Sequence, residues 1–223
     1  STVTHTVATD ASYYFVFVSG SFDYDFTGSV TASSPSGNSP VSGAIAASAT
    51  GIAASGVSTA TISGTASGAS TFTNISQTST SGDGTGATFT ISTNGSGTYS
   101  LGGINNTGSG YQTGDTITIS GANLGGSDVV NDLTLTITAL DPKSYIVSQS
   151  STTGSGSGAI FNISSNSSGN YAVTDITTFG ENYALNDIIT IAGSNVGGTD
   201  TQNDATLTLT KVGAAAFNNV TQA

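Results

Sequence analysis

Six aspartates occur in two sets of three, and the spacing of the first set is repeated 72 positions later. They lie within or just before Gly- and Asn-rich blocks at 121–132 and 193–204. A calcium ion takes six to eight oxygen ligands, so carboxylates and amides on a Gly-bent loop predict a calcium site. The same residue types also cap turns through their own backbone, and the spacing matches neither the EF-hand loop nor the nonapeptide calcium repeat. Both interpretations stay open. The candidate metal ligands are Asp115, Asp128, Asp132, Asp187, Asp200 and Asp204.

Other reactive side chains are few. His5 is the only histidine and lies near the start of the chain, so a Ser-His-Asp triad would have to use it. Asp23 and Asp25 share one face of a predicted strand, where carboxylates are usually only solvated. Glu181 is the only glutamate. We therefore expect no catalytic residues and no enzyme activity. A glycan-cleaving enzyme is the alternative, and it would need clustered carboxylates in a groove.

Two glycine loops and four tyrosines each allow a binding role and a structural role. The loops at 82–86 and 154–158 superficially resemble phosphate-binding loops, but no helical pattern follows them, so flexible turns are predicted. Exposed tyrosines stack on sugars, whereas tyrosines at the edge of a core bury the ring and leave the hydroxyl near solvent. We favour the second role for Tyr99, Tyr111, Tyr171 and Tyr183.

Charge and composition limit the classes of partner. Two Lys or Arg residues against thirteen Asp or Glu give a net charge of −11, which excludes nucleic acids and disfavours anionic membranes. No apolar run approaches the roughly 20 residues of a membrane span, so no membrane insertion is expected. Cysteine is absent, so neither disulfides nor thiolate metal sites stabilise the fold. Because trypsin-like cleavage sites are scarce and Met is missing even at position 1, we expect a mature or excised extracellular segment.

A gapless repeat organises the second part of the chain. Residues 110–119 return as 182–191, and Phe89, Tyr99 and Asp132 have the counterparts Phe161, Tyr171 and Asp204. Each copy alternates apolar residues with Thr and Ser in four short runs separated by Gly and Asn, which is the period of strands. The predicted fold is all-β, with tandem small antiparallel β-sandwich-like modules at 72–143 and 144–213 and a C-terminal tail at 214–223.

The segment at 1–71 lacks this repeat. Aromatic and β-branched residues on both sides of Ser19 and Gly20 predict a β-hairpin within residues 1–31. A Ser-, Ala- and Gly-rich segment follows at 32–71, and it fits either a flexible linker or tightly packed strands. We assign residues 1–71 to assembly or attachment. Each module has few large side chains, so stacking or oligomerisation is expected to stabilise it.

The second half of the module carries a distinctive string. It consists of GYxxGDTITIxG at 110–121, LGG at 124–126 and NDLTLT at 131–136, with Asn182 and Asn186 replacing two of the glycines in the second copy. This string resembles repeats in virion structural and tail-fibre proteins of marine phages, notably cyanophages. The resemblance covers about residues 72–213.

The resemblance implies a non-enzymatic spacer or adhesive module on the surface of a particle. The expected partners are further copies or other structural subunits, with a host-surface glycan or protein as receptor. The alternative is a secreted cell-surface adhesin or an extracellular filament subunit assembled by strand exchange. Both place the protein outside the cell.

Overall fold

Antiparallel strands make up most of the part of the chain that the structure describes. A computed structural model describes residues 41–216, and within them two 3-10 helices of four residues are the only helices. The all-β prediction is confirmed. No helix of the described residues is long and apolar enough to cross a membrane. The hairpin predicted within residues 1–31 lies outside the described residues.

Two strands of the Ser-, Ala- and Gly-rich segment open the described chain. They are β1 (Val41–Thr50) and β2 (Val57–Gly64). We call residues 41–66 the arm and residues 51–56 the crossover. Of the two interpretations of residues 32–71, ordered strands are therefore correct for the described part.

The first repeat supplies the next six strands. Together with β2 they form a four-stranded sheet, in the order β2-β8-β7-β4, and a three-stranded sheet, in the order β3-β5-β6. The elements are β3 (Ser70–Ser76), β4 (Ser79–Thr80), β5 (Thr88–Thr93), β6 (Tyr99–Asn106), β7 (Thr116–Ile119), the 3-10 helix η1 (Gly121–Leu124) and β8 (Leu133–Leu140).

The second repeat has the same order of elements. Here all strands join one seven-stranded sheet, in the order β10-β13-β14-β1-β12-β11-β9, because β1 also pairs with β12 where Val41 faces Glu181. The elements are β9 (Lys143–Ser148), β10 (Ser151–Thr152), β11 (Ser157–Ser165), β12 (Tyr171–Glu181), β13 (Ile188–Ile191), the 3-10 helix η2 (Gly193–Val196) and β14 (Ala205–Ala216).

Alternation along each strand builds the cores. In β5 the side chains of Phe89, Ile91 and Thr93 are buried, while the residues between them are only half-buried. Fully burying a side chain such as Phe89 or Ile91 contributes about 2 kcal/mol. Each repeat has its own hydrophobic cluster, and each cluster includes residues of one arm strand. The description as tandem sandwich-like modules stays a prediction, as do the boundaries at 72–143 and 144–213.

The arm strands enter the repeats in crossed order. β1 comes first in the chain but pairs with β14 of the second repeat, whereas β2 pairs with β8 of the first repeat. We call β2 with the first repeat the first module, and β1 with the second repeat the second module. Each repeat therefore obtains a strand from outside its own sequence.

The two arm strands occupy equivalent positions in their modules. Ala49 faces Leu207 as Ile62 faces Leu135, and the two leucines are counterparts in the repeat. The equivalence continues beyond the strands. Ala53 donates its N–H to the carbonyl of Gly169 over 2.7 Å, and Ala66 donates to that of Gly97 over 2.9 Å. The arm thus supplies one strand to each of the two repeats, and the two strands are added at equivalent positions.

The crossover lies between the modules and is bonded to both. Ser55 and Tyr111 of the first module exchange two backbone hydrogen bonds of 2.9 Å, while Ala53 bonds to Gly169 of the second. The Ser55 hydroxyl also donates to the carbonyl of Asp141, over 2.6 Å. We call the end of a module that carries Tyr111 or Tyr183 its lower end, and the end that carries Gly97 or Gly169 its upper end. The lower end of the first module meets the upper end of the second.

Candidate functional site

The acidic loops sit at the upper end of each module, between η1 and β8 or between η2 and β14. The Asp132 carboxylate accepts backbone N–H groups of Gly121, at 2.8 Å, and Val129, at 2.9 Å. Asp128 accepts the Ser120 hydroxyl and the N–H of Ala122. These carboxylates fold the loop back on η1, because they bond the amides that the loop leaves unpaired.

The second module repeats this arrangement. Asp204 accepts the N–H groups of Gly193, at 2.8 Å, and Thr201, at 2.9 Å. Asp200 accepts the N–H of Ser194 at 2.8 Å. Hydrogen bonds from Ser194, through its hydroxyl first and its backbone second, hold the pKa of the exposed Asp200 carboxyl below its usual range.

The remaining two candidate ligands lie at the other end of the module. Asp115 accepts the N–H of Gln112 at 2.9 Å, and Asp187 accepts that of Ala184 at 2.8 Å. Each of these two aspartates precedes a strand of four residues, and the acidic loop follows that strand. At roughly 3.3 Å per residue, the strand places about 13 Å between this aspartate and the acidic loop. The six aspartates therefore do not meet in one cage.

Calcium binding stays a prediction, and the hydrogen bonds favour the turn-capping interpretation. Within residues 41–216, no group of three or more His, Cys, Asp or Glu side chains is placed to hold a metal. Each candidate carboxylate instead has a backbone N–H donor from its own loop. Backbone capping alone is thus enough to explain the residue type and its recurrence.

We expect a chelator to leave the thermal midpoint unchanged, because the carboxylates act as caps without an ion. The measurement is the melting temperature by circular dichroism, with chelator and with added calcium. A rise of several degrees with calcium that disappears in the Asp132→Asn, Asp204→Asn double variant would instead support a metal site.

The repeated tyrosine rings are buried, which confirms core packing over sugar stacking, but their hydroxyls bond to groups of the protein and do not lie near solvent as predicted. Tyr111 is fully buried, and its hydroxyl donates to the Oε1 atom of Gln77 and accepts the N–H of Ala87. The Gln77 amide in turn donates to the carbonyl of Gly84 over 2.9 Å. Burial raises the pKa of the Tyr111 hydroxyl, as it does for its counterpart Tyr183.

This chain of bonds explains the glycine loops. A Cβ added at Gly84 would overlap the ring of Tyr111, and one added at Gly156 would overlap that of Tyr183. The loops therefore carry Gly so that the backbone can lie flat on a buried ring, and they are packing elements. In the second module Gln149 bonds Tyr183 and Gly156 in the same way. The recurrence of this Gln at the same place in both repeats is the sequence signal for the role.

The other two tyrosines fasten the acidic loops. Tyr99 donates its hydroxyl to the carbonyl of Asn131 over 2.5 Å, and Tyr171 donates to that of Asn203 over 2.9 Å. Burial raises the pKa of both hydroxyls, and more strongly for Tyr171. Each loop is thus tied to the core by a tyrosine and to η1 or η2 by an aspartate.

In each module a groove lies between the arm strand and a strand of the repeat. The groove of the first module, between β2 and β6, has a volume of about 540 Å³, and the groove of the second, between β1 and β12, about 270 Å³. The lining of the groove in the first module includes the apolar side chains of Leu101 and Ile104. Among the described residues, each groove has a single carboxylate in its lining, Asp141 in the first and Asp175 in the second.

The sequence did not predict which strands the arm pairs with. Its strands have mostly Ala, Ser and Thr side chains, so hydrophobicity gives little signal. The available signal was the echo of Thr50-Gly51-x-Ala53 in Ser63-Gly64-x-Ala66. Comparison with protein-family models, curated proteins and solved structures finds no match to this chain.

Proposed function

We propose that the protein is a non-enzymatic structural component of a virion surface or tail fibre, where it acts as a spacer or adhesive module in an oligomeric assembly. The observation that carries this proposal is the arm, which fastens two equivalent modules into one unit through β1, β2 and the crossover. Such a unit transmits load along the chain, because every module is held by a full strand as well as by its covalent connection.

The use of the polar side chains supports the same role. The recurrent aspartates, tyrosines and glutamines bond to the backbone of their own module, and this pattern recurs in both copies. Glycoside hydrolysis would require two carboxylates about 5–10 Å apart around a substrate. Each of the two grooves described above has one carboxylate in its lining, and Asp141 forms an ion pair of 2.7 Å with Lys143.

Electron microscopy of the native assembly with antibody labelling tests the proposal. The expected result is label on fibres or surface projections of virus particles. Label confined to the surface or the filaments of cells would contradict a virion role. The control is an antibody raised against the same protein and pre-absorbed with it.

A second candidate is an extracellular filament subunit or adhesin assembled by strand exchange. The pairing of β1 with β14 favours it, because a strand supplied from outside a repeat within one chain can equally be supplied by another chain. Both candidates place the protein outside the cell, bound to further copies or other structural subunits, with a host-surface glycan or protein as receptor. Label along cellular filaments would favour this second candidate.

A further inference from the structure

We propose that the upper end of the first module binds the lower end of the second module of another copy, so that copies stack head to tail. This inference rests on the proposed structural role and names the partner, which is a second copy of this chain. The repeat equivalents of these two surfaces already contact each other once inside the molecule.

The internal junction shows how the two ends fit. The N–H of Leu140 donates to the carbonyl of Ser167 over 2.8 Å. The Thr199 hydroxyl lies 3.5 Å from the Asp83 carboxylate. These contacts join the lower end of the first module to the upper end of the second.

Both surfaces occur a second time at the ends of the molecule. Gly95 is the counterpart of Ser167, and a Cβ added at Gly95 would meet no atom of residues 41–216 within 4 Å, so none of these residues covers this part of the upper end. Ser127 is the counterpart of Thr199, and Ser155 is the counterpart of Asp83; both serines are exposed. The free end of the first module therefore carries the equivalent of one junction surface, and the free end of the second module carries the equivalent of the other.

At the lower end of the second module, the main chain of Tyr183 has no hydrogen-bond partner among residues 41–216. Tyr111 bonds Ser55 through its N–H and its carbonyl, which caps the lower end of the first module. For its counterpart Tyr183, residues 41–216 provide no main-chain hydrogen bond. The same antiparallel bridge is therefore available to an incoming chain.

At the lower end, two positions that are polar at the internal junction are apolar at the free surface. Thr107 and Thr113 border the junction, beside Gly56 and Gly169, and their counterparts at the free lower end are Phe179 and Leu185. Phe179 and Leu185 have exposed fractions of 38% and 54%.

The free upper end shows the same change. Its loop carries Val129 and Val130, which are 85% and 73% exposed, where the junction-side loop carries Thr201 and Gln202. Exposed apolar side chains at both ends are typical of surfaces that are covered in an assembly. Because the two ends are different surfaces, their contact is heterologous, and each copy can bind one further copy at either end.

Cysteine cross-linking of the full chain tests the proposal, since the chain has no cysteine. Two variants, Ser127→Cys and Ser155→Cys, place thiols at the counterparts of Thr199 and Asp83. Under mild oxidation we expect a disulfide-linked dimer when the two variants are mixed, little dimer from either alone, and a ladder of multimers from the double variant.

The matched control pairs Ser127→Cys with Ile146→Cys, because Ile146 is 76% exposed on β9, away from both ends. No dimer from the Ser127→Cys and Ser155→Cys mixture, or equal yields from all pairings, would overturn head-to-tail stacking. A monomer whose ends are covered by residues 1–40 of its own chain would give the first of these results.

A second measurement does not depend on thiols. Sedimentation velocity compares the full chain with a Phe179→Thr, Leu185→Thr variant, which restores the residues of the internal junction. We expect association to weaken at least about tenfold, since removing buried apolar area lowers affinity, while Ile146→Thr has no effect. Unchanged association would contradict the proposal. Virion labelling combined with absent cross-links would overturn the stacking and leave the structural role intact.

Discussion

Replacing Ile45 by aspartate is expected to unfold the second module and leave the first module folded. Ile45 is the largest side chain that β1 contributes to the core of the second repeat, and it is buried. An unpaired carboxylate at that position should cost about 4 kcal/mol, which is a large part of the stability of a unit of this size. The first module has its own core and its own arm strand, β2.

Hydrogen exchange followed by mass spectrometry measures this effect for each module separately. The expected result is loss of protection in β11 and β14 with protection retained in β5 and β8. Ile52→Asp is the matched control, because Ile52 lies close by in the crossover and is 58% exposed. We expect that control to stay within about 0.5 kcal/mol of the natural protein. Equal loss in both modules would contradict separate completion by β1 and β2.

Raising the pH is expected to unfold the protein cooperatively above about pH 10. Burial raises the pKa of four tyrosine hydroxyls, and all four also make hydrogen bonds in the fold. A folded-state pKa above the unfolded value of about 10 means that the stabilisation is complete below that pH and is lost as the pH rises further. Each hydroxyl that ionises only in the unfolded chain lowers the free energy of unfolding by about 1.4 kcal/mol for each pH unit above 10. The four are Tyr99, Tyr111, Tyr171 and Tyr183.

The measurement is a parallel titration of tyrosinate absorbance and of the circular dichroism of the backbone. We expect the two transitions to coincide, because the buried hydroxyls ionise only as the modules open. In Tyr171→Phe the transition should be less steep, since one titrating group is removed. Ionisation of all tyrosines well before the loss of β structure would show that the hydroxyls are accessible in the folded state.

The strands of the repeats were predictable because their alternation is strong. In β7 apolar residues occupy every second position and are completely buried, and β5 and β8 follow the same alternation over most of their length. The burial of the four repeated tyrosine rings was also predicted from the sequence, whereas the internal hydrogen bonds of their hydroxyls were not. The all-β fold is a direct consequence of this patterning.

The partner of each arm strand was not predictable. Thr50 and Thr206 are neighbours in the sheet although 156 positions separate them in the chain. Strand pairing is driven by backbone hydrogen bonds, which are the same for every sequence, and small side chains give little further preference. The separation of the six aspartates into two groups in each module was also not predictable. It depends on β7 and β13, which place Asp115 and Asp187 at one end of the module and the acidic loops at the other.

A disulfide formed inside the chain tests the crossed arm most directly. Ser48 of β1 faces Thr208 of β14, and Thr61 of β2 faces Thr136 of β8. In otherwise cysteine-free chains, we predict that the pair Ser48→Cys, Thr208→Cys oxidises within a monomer, as does the pair Thr61→Cys, Thr136→Cys. The exchanged pair Ser48→Cys, Thr136→Cys is predicted to stay reduced. A disulfide in the exchanged pair and none between positions 48 and 208 would contradict the crossed arm.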